Sequence, residues 1–138
     1  MDKEKFISVL IIDDSEDDRI IARRILEKKN FKILEAGEWM DGMELIGKGG
    51  IDLVLLDMIM PDMDGMELLE IIRKEKSKLN LPVIIYSCYD VDYSDDKKYA
   101  NGYIKKYGEP ETLISKISEV LAINKAIDRS KPPVFVAR

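Results

Sequence analysis

A chain of 138 residues suits one domain of ordinary size with a core of its own. Hydrophobic residues make up 46% and charged residues 36%, which suits a mixed water-soluble fold, and a net charge of −5 argues against a general binder of phosphate backbones. Histidine is absent, so His-based triads, His metal sites and a phosphohistidine relay within the chain are excluded.

The N-terminus "MDKEKF" has no apolar leader region, and no apolar run approaches the roughly 20 residues of a membrane span. A cytoplasmic location is therefore expected, and the single cysteine, Cys88, agrees with a reducing compartment. Five short apolar runs then alternate with helical patterns. "SVLII" (Ser8 to Ile12) precedes a helix with Ile20, Ile21, Ile25 and Leu26 on one face. "FKILEA" (Phe31 to Ala36) precedes one carrying Trp39, Met43 and Ile46, and "IDLVLLD" (Ile51 to Asp57) leads to one with Leu68, Leu69 and Ile72. "PVIIYS" (Pro82 to Ser87) leads to a short polar segment around Asp92 to Tyr99 that reads as a short fourth helix. "GYIKK" (Gly102 to Lys106) leads to a last helix with Leu113, Ile114, Ile117, Val120 and Leu121. Five β-α units in sequence predict an α/β fold, a parallel sheet with helices on both faces. Residues 1–125 read as the domain, and 126–138, with Pro132 and Pro133, as a C-terminal tail or linker stub.

Ligands in open parallel sheets bind beyond the C-terminal strand ends. The residues expected there are Asp13 and Asp14, Asp57, Ser87, and Lys105 or Lys106. Three carboxylates crowded together cannot all ionise cheaply without a cation. An all-oxygen donor set suits Mg²⁺, or Mn²⁺, better than a thiolate- or imidazole-seeking metal. Beside such a cation one carboxylate can attack phosphorus, with a lysine ammonium and the Ser87 hydroxyl contacting the transferring oxygens. That chemistry explains why the apolar strand before Asp57 ends in a charge.

The pieces "VLIIDDSEDD", "LVLLDMIMPDMDG", "LPVIIYSCYD" and "NGYIKKYGEPETL" resemble, in their order and spacing, the receiver domain of two-component response regulators, over residues 5 to 124. The resemblance implies a flavodoxin-like (βα)5 doubly wound fold with strand order 2-1-3-4-5. It implies Mg-dependent phosphorylation of Asp57 by a histidine kinase, a phosphotransfer protein or a small phosphodonor. By the same resemblance, Asp14, Asp57 and the backbone carbonyl of Ile59 ligate the metal, with Asp13 acting largely through water. The family's lysine falls four residues after the glycine of "GY", which selects Lys106 over Lys105, and Tyr103 falls at an aromatic switch position paired with Ser87. The implied protein is a conformational signalling switch rather than a turnover enzyme. Its expected partners are a kinase and an unknown downstream protein, without direct nucleic acid or membrane contact, as a monomer or a phosphorylation-dependent dimer.

Three departures from the pattern carry expectations. Tyr107 stands where family members usually have a proline joined by a cis peptide; a non-proline cis bond costs about 3 kcal/mol. The expectation is a locally altered loop in which Lys106 still reaches Asp57. The interval from Ser87 to Lys106 is short and acidic, so partner choice is expected to differ. Ile59 and Tyr89 fill the family's two variable positions, where their bulk predicts slow hydrolysis of the phosphorylated aspartate, and Cys88 fills a usually small one, where bulk is expected to narrow phosphate access.

Plainer roles are expected elsewhere. Ser15, Glu16, Asp17 and Asp18 read as helix capping, Asp62, Asp64 and Gly65 as a turn and helix entry, and Asp90, Asp92, Asp95 and Asp96 as a solvated face. Met58, Met60, Met63 and Met66 read as packing, and Cys88 as structural. Two rival functions are a pseudo-receiver adaptor that has lost phosphorylation, which the intact acid, Ser and Lys set disfavours, and an aspartyl phosphatase of the haloacid-dehalogenase type. The latter wants an Asp two residues after the nucleophile, where Ile59 stands.

Overall fold

The computed structural model describes residues 6–75, 78, 80–89 and 100–126. Its elements in chain order are β1 (Ser8–Ile12), α1 (Glu16–Glu27), β2 (Lys32–Ala36), α2 (Trp39–Lys48), β3 (Leu53–Leu56), α3 (Gly65–Lys74), β4 (Val83–Ser87), β5 (Gly102–Lys105) and α4 (Pro110–Ala126). The five strands are all parallel, in the order β2-β1-β3-β4-β5. This is the flavodoxin-like arrangement expected. The segment expected as a short fourth helix, with Asp90 to Asp96, lies outside the described residues, so α4 is here the helix after β5. It ends at Ala126, the residue at which the tail was expected to begin.

Alternation along each strand sends successive side chains to opposite faces and builds two cores. Val9, Ile11, Leu53, Leu55 and Ile84 pack with Ala22 and Leu26 of α1 and Leu113, Ile117 and Val120 of α4. Leu10, Ile12, Val54, Leu56, Val83 and Ile85 pack with Ile46 of α2 and Leu68, Leu69 and Ile72 of α3. β1, β3 and β4 are buried along their whole length, which is why they read as unbroken apolar runs. Each fully buried Leu or Ile adds about 1.5–3 kcal/mol. The face of α1 departs from expectation: Ile21 is exposed, while the smaller Ala22 sits against the sheet. The four methionines pack as expected, Met60 buried and Met58, Met63 and Met66 lying against the same core.

Local chemistry starts the helices where the site needs them. The Ser15 hydroxyl caps α1 by accepting from the Asp18 amide at 3.2 Å, and the Asp64 carboxylate caps α3 by accepting from the Met66 amide at 2.9 Å. Gly65 lets the chain double back after β3, its amide donating to the Met58 carbonyl at 2.8 Å. A Cβ there would lie 2.5 Å from the Asp57 carbonyl oxygen and 2.8 Å from Met58 Cα, both backbone, so only glycine fits without displacing the residue that follows β3.

Candidate functional site

The parallel ladder continues past the strand ends and fixes the backbone of the rim residues. The Asp13 amide donates to the Ala36 carbonyl at 3.0 Å, the Asp57 amide to Ile12 at 2.9 Å, and the Lys106 amide to Ser87 at 2.8 Å. Arg19 ties the loop after β1 down, donating from Nη1 to the Asp13 carbonyl at 2.6 Å and from Nε to Glu35 Oε1 at 3.0 Å. Three loops are thereby held at one edge of the sheet.

At that edge one carboxylate oxygen each of Asp13, Asp14 and Asp57 lies within 4.8 Å of the others. Asp13 is 1% and Asp57 7% exposed, while Asp14 faces solvent. Lys106 shares the side-chain alternation of Ile104 and turns to the α1–α4 face. Its Nζ lies 2.6 Å from Asp13 Oδ2, 2.9 Å from Asp18 Oδ2 and 3.4 Å from Asp57 Oδ1, and 5.9 Å from the centre of the Tyr86 ring. Lys105, on the other side of the strand, is exposed. Ser87 is buried at the end of β4, its hydroxyl accepting from the Tyr89 amide at 3.2 Å. Tyr103 is half-buried against the α2–α3 core, in register with Ile85. Ile59 is exposed and pairs in an antiparallel bridge with Asp64, and Tyr89 is exposed beyond β4. Cys88, expected as a structural residue, is also exposed: the chain has left the sheet there, and no core remains to receive it.

The electrostatics follow from this crowding. Burial, reinforced by the neighbouring Asp13 charge, raises Asp57 from the ordinary 3.8 to about 6 despite Lys106. Burial also raises Asp13, more than Lys106 and the Ser15 amide lower it. For Lys106 burial favours the neutral amine, but the Asp13 and Asp18 carboxylates outweigh it and hold the ammonium charged above its ordinary range.

The donor set fits a hard divalent cation. Asp13 Oδ1 accepts from the Ser15 amide at 2.9 Å, but Oδ2, fully buried, takes no hydrogen bond. Lys106 approaches that oxygen as an ion pair outside the hydrogen-bonding directions. A buried oxygen with unused lone pairs, beside two further carboxylates, is what an oxygen-seeking cation completes. A separate cleft of about 430 Å³, lined by residues 58–64 and Glu67, lies along the loop after β3 and includes none of Asp13, Asp57 or Lys106.

Two participants were not anticipated. Asp18 was expected only to cap α1; its amide does so, but its carboxylate projects into the site. Oδ2 accepts from Lys106 Nζ at 2.9 Å and Oδ1 from the Tyr107 hydroxyl at 2.8 Å. These contacts, opposed by partial burial, hold Asp18 below the usual carboxylate range. The Lys106–Tyr107 peptide is trans and Tyr107 takes φ +66, a left-handed conformation costing a tyrosine roughly 1 kcal/mol. The loop is thus altered locally, and Lys106 still reaches Asp57. Two sequence features pointed this way: more acids after Asp13 and Asp14 than capping uses, and a hydroxyl-bearing residue directly after the lysine.

Fold and rim together define a doubly wound parallel α/β protein with a cation-ready aspartate cluster paired to one buried lysine. Residues 9–118 match the model of the response regulator receiver domain, and the chain belongs to that family. Protein PilH of Pseudomonas aeruginosa is 31% identical over 117 residues, covering 83% of this chain and 97% of PilH. The crystal structure of a CheY-like response regulator receiver domain protein from Methanospirillum hungatei superimposes with a TM-score of 0.79 at 27% identity, covering 88% of this chain and 98% of that one. Response regulator TrrA of Thermotoga maritima, in complex with Mg²⁺ and BeF, gives a TM-score of 0.75 at 26% identity over 83% and 99% of the two chains. Among the described residues no helix is long and apolar enough to cross a membrane.

Proposed function

We propose that this receiver domain is a phospho-accepting switch in which Asp57 takes a phosphoryl group from a kinase phosphohistidine, a phosphotransfer protein or a small acyl phosphate. The observation that carries this reading is the convergence of Lys106 with the buried Asp13 and Asp57 carboxylates, 2.6 and 3.4 Å from its ammonium. With a pKa of about 6, Asp57 is ionised at neutral pH and nucleophilic. One of its oxygens bonds to phosphorus as the phosphorus–nitrogen bond of the phosphohistidine breaks, and the leaving imidazole keeps the electron pair. Lys106 neutralises one phosphoryl oxygen and the Ser87 hydroxyl donates to another. Asp13, Asp14, Asp57 and the Ile59 carbonyl would hold Mg²⁺, or Mn²⁺, which when bound supplies positive charge to the transferring oxygens. That TrrA was crystallised with Mg²⁺ and BeF supports this assignment.

Recruitment of Ser87 toward the phosphoryl group draws on Tyr103 behind it, and the two residues carry the change of state to a partner-binding face. Moving a 1:99 population to 99:1 takes about 5.5 kcal/mol of differential stabilisation, within reach of several charge-assisted hydrogen bonds. The domain spans residues 1–125 and acts in the cytoplasm on a downstream protein. Mass spectrometry after acetyl phosphate and Mg²⁺ treatment is expected to find one added phosphoryl group on the wild type and none on Asp57→Asn. Equal modification of the two proteins overturns the reading.

A further inference from the structure

We propose that Asp18, held by Tyr107, is a resident competitor for the Lys106 ammonium, and that this competition sets the threshold at which the switch responds to a phosphoryl group. The proposal rests on the phospho-acceptor reading above.

An ammonium has three donor directions. Here one is engaged in a hydrogen bond to Asp18 at 2.9 Å and Asp13 lies closest as an ion pair at 2.6 Å, while Asp57 is the most distant of the three carboxylates at 3.4 Å. The group that must serve the phosphoryl oxygens is therefore engaged mainly elsewhere before they arrive. Asp18 is well placed to keep it. Its backbone is fixed in the first turn of α1 by the Ser15 cap, its side chain is 13% exposed, and both of its oxygens have partners, Lys106 on one and the Tyr107 hydroxyl on the other. Tyr107 reaches it from the surface, the residue 66% exposed on a backbone turned into the left-handed region. The residue in the position of the family's usual proline thus contributes a hydroxyl to an acid on a different element. Asp18 imitates a phosphoryl oxygen in the resting protein. A phosphoryl group on Asp57 has to draw Lys106 from it and must bear the repulsion of a fixed negative charge nearby. In the opposite sense, Asp18 lightens the hold of Lys106 on Asp13 and Asp57, leaving those carboxylates more available to a cation.

The test is calorimetric titration of the full chain, first with Mg²⁺ alone and then with beryllofluoride at Mg²⁺ saturation, on wild type, Asp18→Asn, Tyr107→Phe and Asp17→Asn. Asp18→Asn is expected to bind beryllofluoride about tenfold more tightly and Mg²⁺ more weakly, as the freed ammonium leans on Asp13 and Asp57. Tyr107→Phe, a surface change that removes no charge, is expected to move beryllofluoride affinity in the same direction by about twofold. Asp17 is exposed on the same turn but is not among the carboxylates around Lys106, so Asp17→Asn removes an equal charge and is expected to leave beryllofluoride affinity as in the wild type. Beryllofluoride affinity unchanged or weakened in Asp18→Asn, or an equal gain in Asp17→Asn, overturns the competition while leaving the phospho-acceptor reading standing. Failure of every protein to bind beryllofluoride overturns both.

Discussion

Replacing Asp57 by Asn tests the electrostatics of the rim through folding stability, with no phosphoryl chemistry involved. Asp57 is 7% exposed, and burial together with the Asp13 charge raises its carboxyl from 3.8 to about 6 in the metal-free fold. A folded value above the unfolded one means that the native state prefers the neutral acid. The favourable contribution is complete below pH 4 and is lost as pH rises through 6. By pH 8 the ionised Asp57 costs the fold about 3 kcal/mol relative to a neutral side chain of the same shape. Asn is such a side chain, and Lys106 keeps Asp13 and Asp18 as partners, so no buried cation is orphaned. In urea melts with chelator present, Asp57→Asn is expected to be the more stable protein by about 3 kcal/mol at pH 8, narrowing to about 1 kcal/mol at pH 4.5. Mg²⁺ at pH 8 is expected to stabilise the wild type strongly and the variant little. A variant less stable than wild type at pH 8, or a difference that does not shrink toward pH 4.5, would refute the argument that burial and like charge dominate over Lys106.

Three other changes probe the supports of the site. Lys106→Met leaves the buried Asp13 and Asp57 without their cation and is expected to lower metal-free stability at pH 8 by about 3–5 kcal/mol, a loss that Mg²⁺ titration in the same melt partly restores. Gly65→Ala pushes a methyl into the Asp57 carbonyl and Met58 backbone and is expected to cost at least about 2 kcal/mol by urea denaturation, with Mg²⁺ affinity falling as the rim shifts. Ile59→Asn exchanges an exposed apolar neighbour of the site for an amide able to orient water, and is expected to shorten the lifetime of phosphorylated Asp57 several-fold, followed by loss of the modified mass with time.

Most of the architecture could be read from the chain because it rests on periodicity. β1, β3 and β4 are buried on both faces, so they had to be continuous apolar runs, and the residues directly after them had to lie at one edge of a parallel sheet. The choice of Lys106 over Lys105 came from the resemblance, whose lysine falls four residues after the glycine of "GY"; alternation along β5 says only that the two lysines point to opposite sides. Where the reading stopped short, two residue types suited one position equally. Ile21 and Ala22 both fit an apolar stripe, and how closely α1 approaches the sheet chose the smaller one.

Asp18 marks the boundary between what the chain alone determined and what required three dimensions. Its neighbours in sequence, a Ser cap and the positive end of a helix, account for an acid at that place, so the surplus of acids after Asp13 and Asp14 could not single it out for a second role. Its partners Lys106 and Tyr107 lie 88 and 89 residues away, on a loop whose left-handed turn has no periodic signature. Periodic burial is written residue by residue and so determined the parallel sheet and the acids at its rim, while the order of its strands was implied by the resemblance to the receiver family. Which acid holds the ammonium depends on how the first turn of α1 meets the loop after β5, a matter of a few tenths of an ångström that only the packed tertiary structure decided.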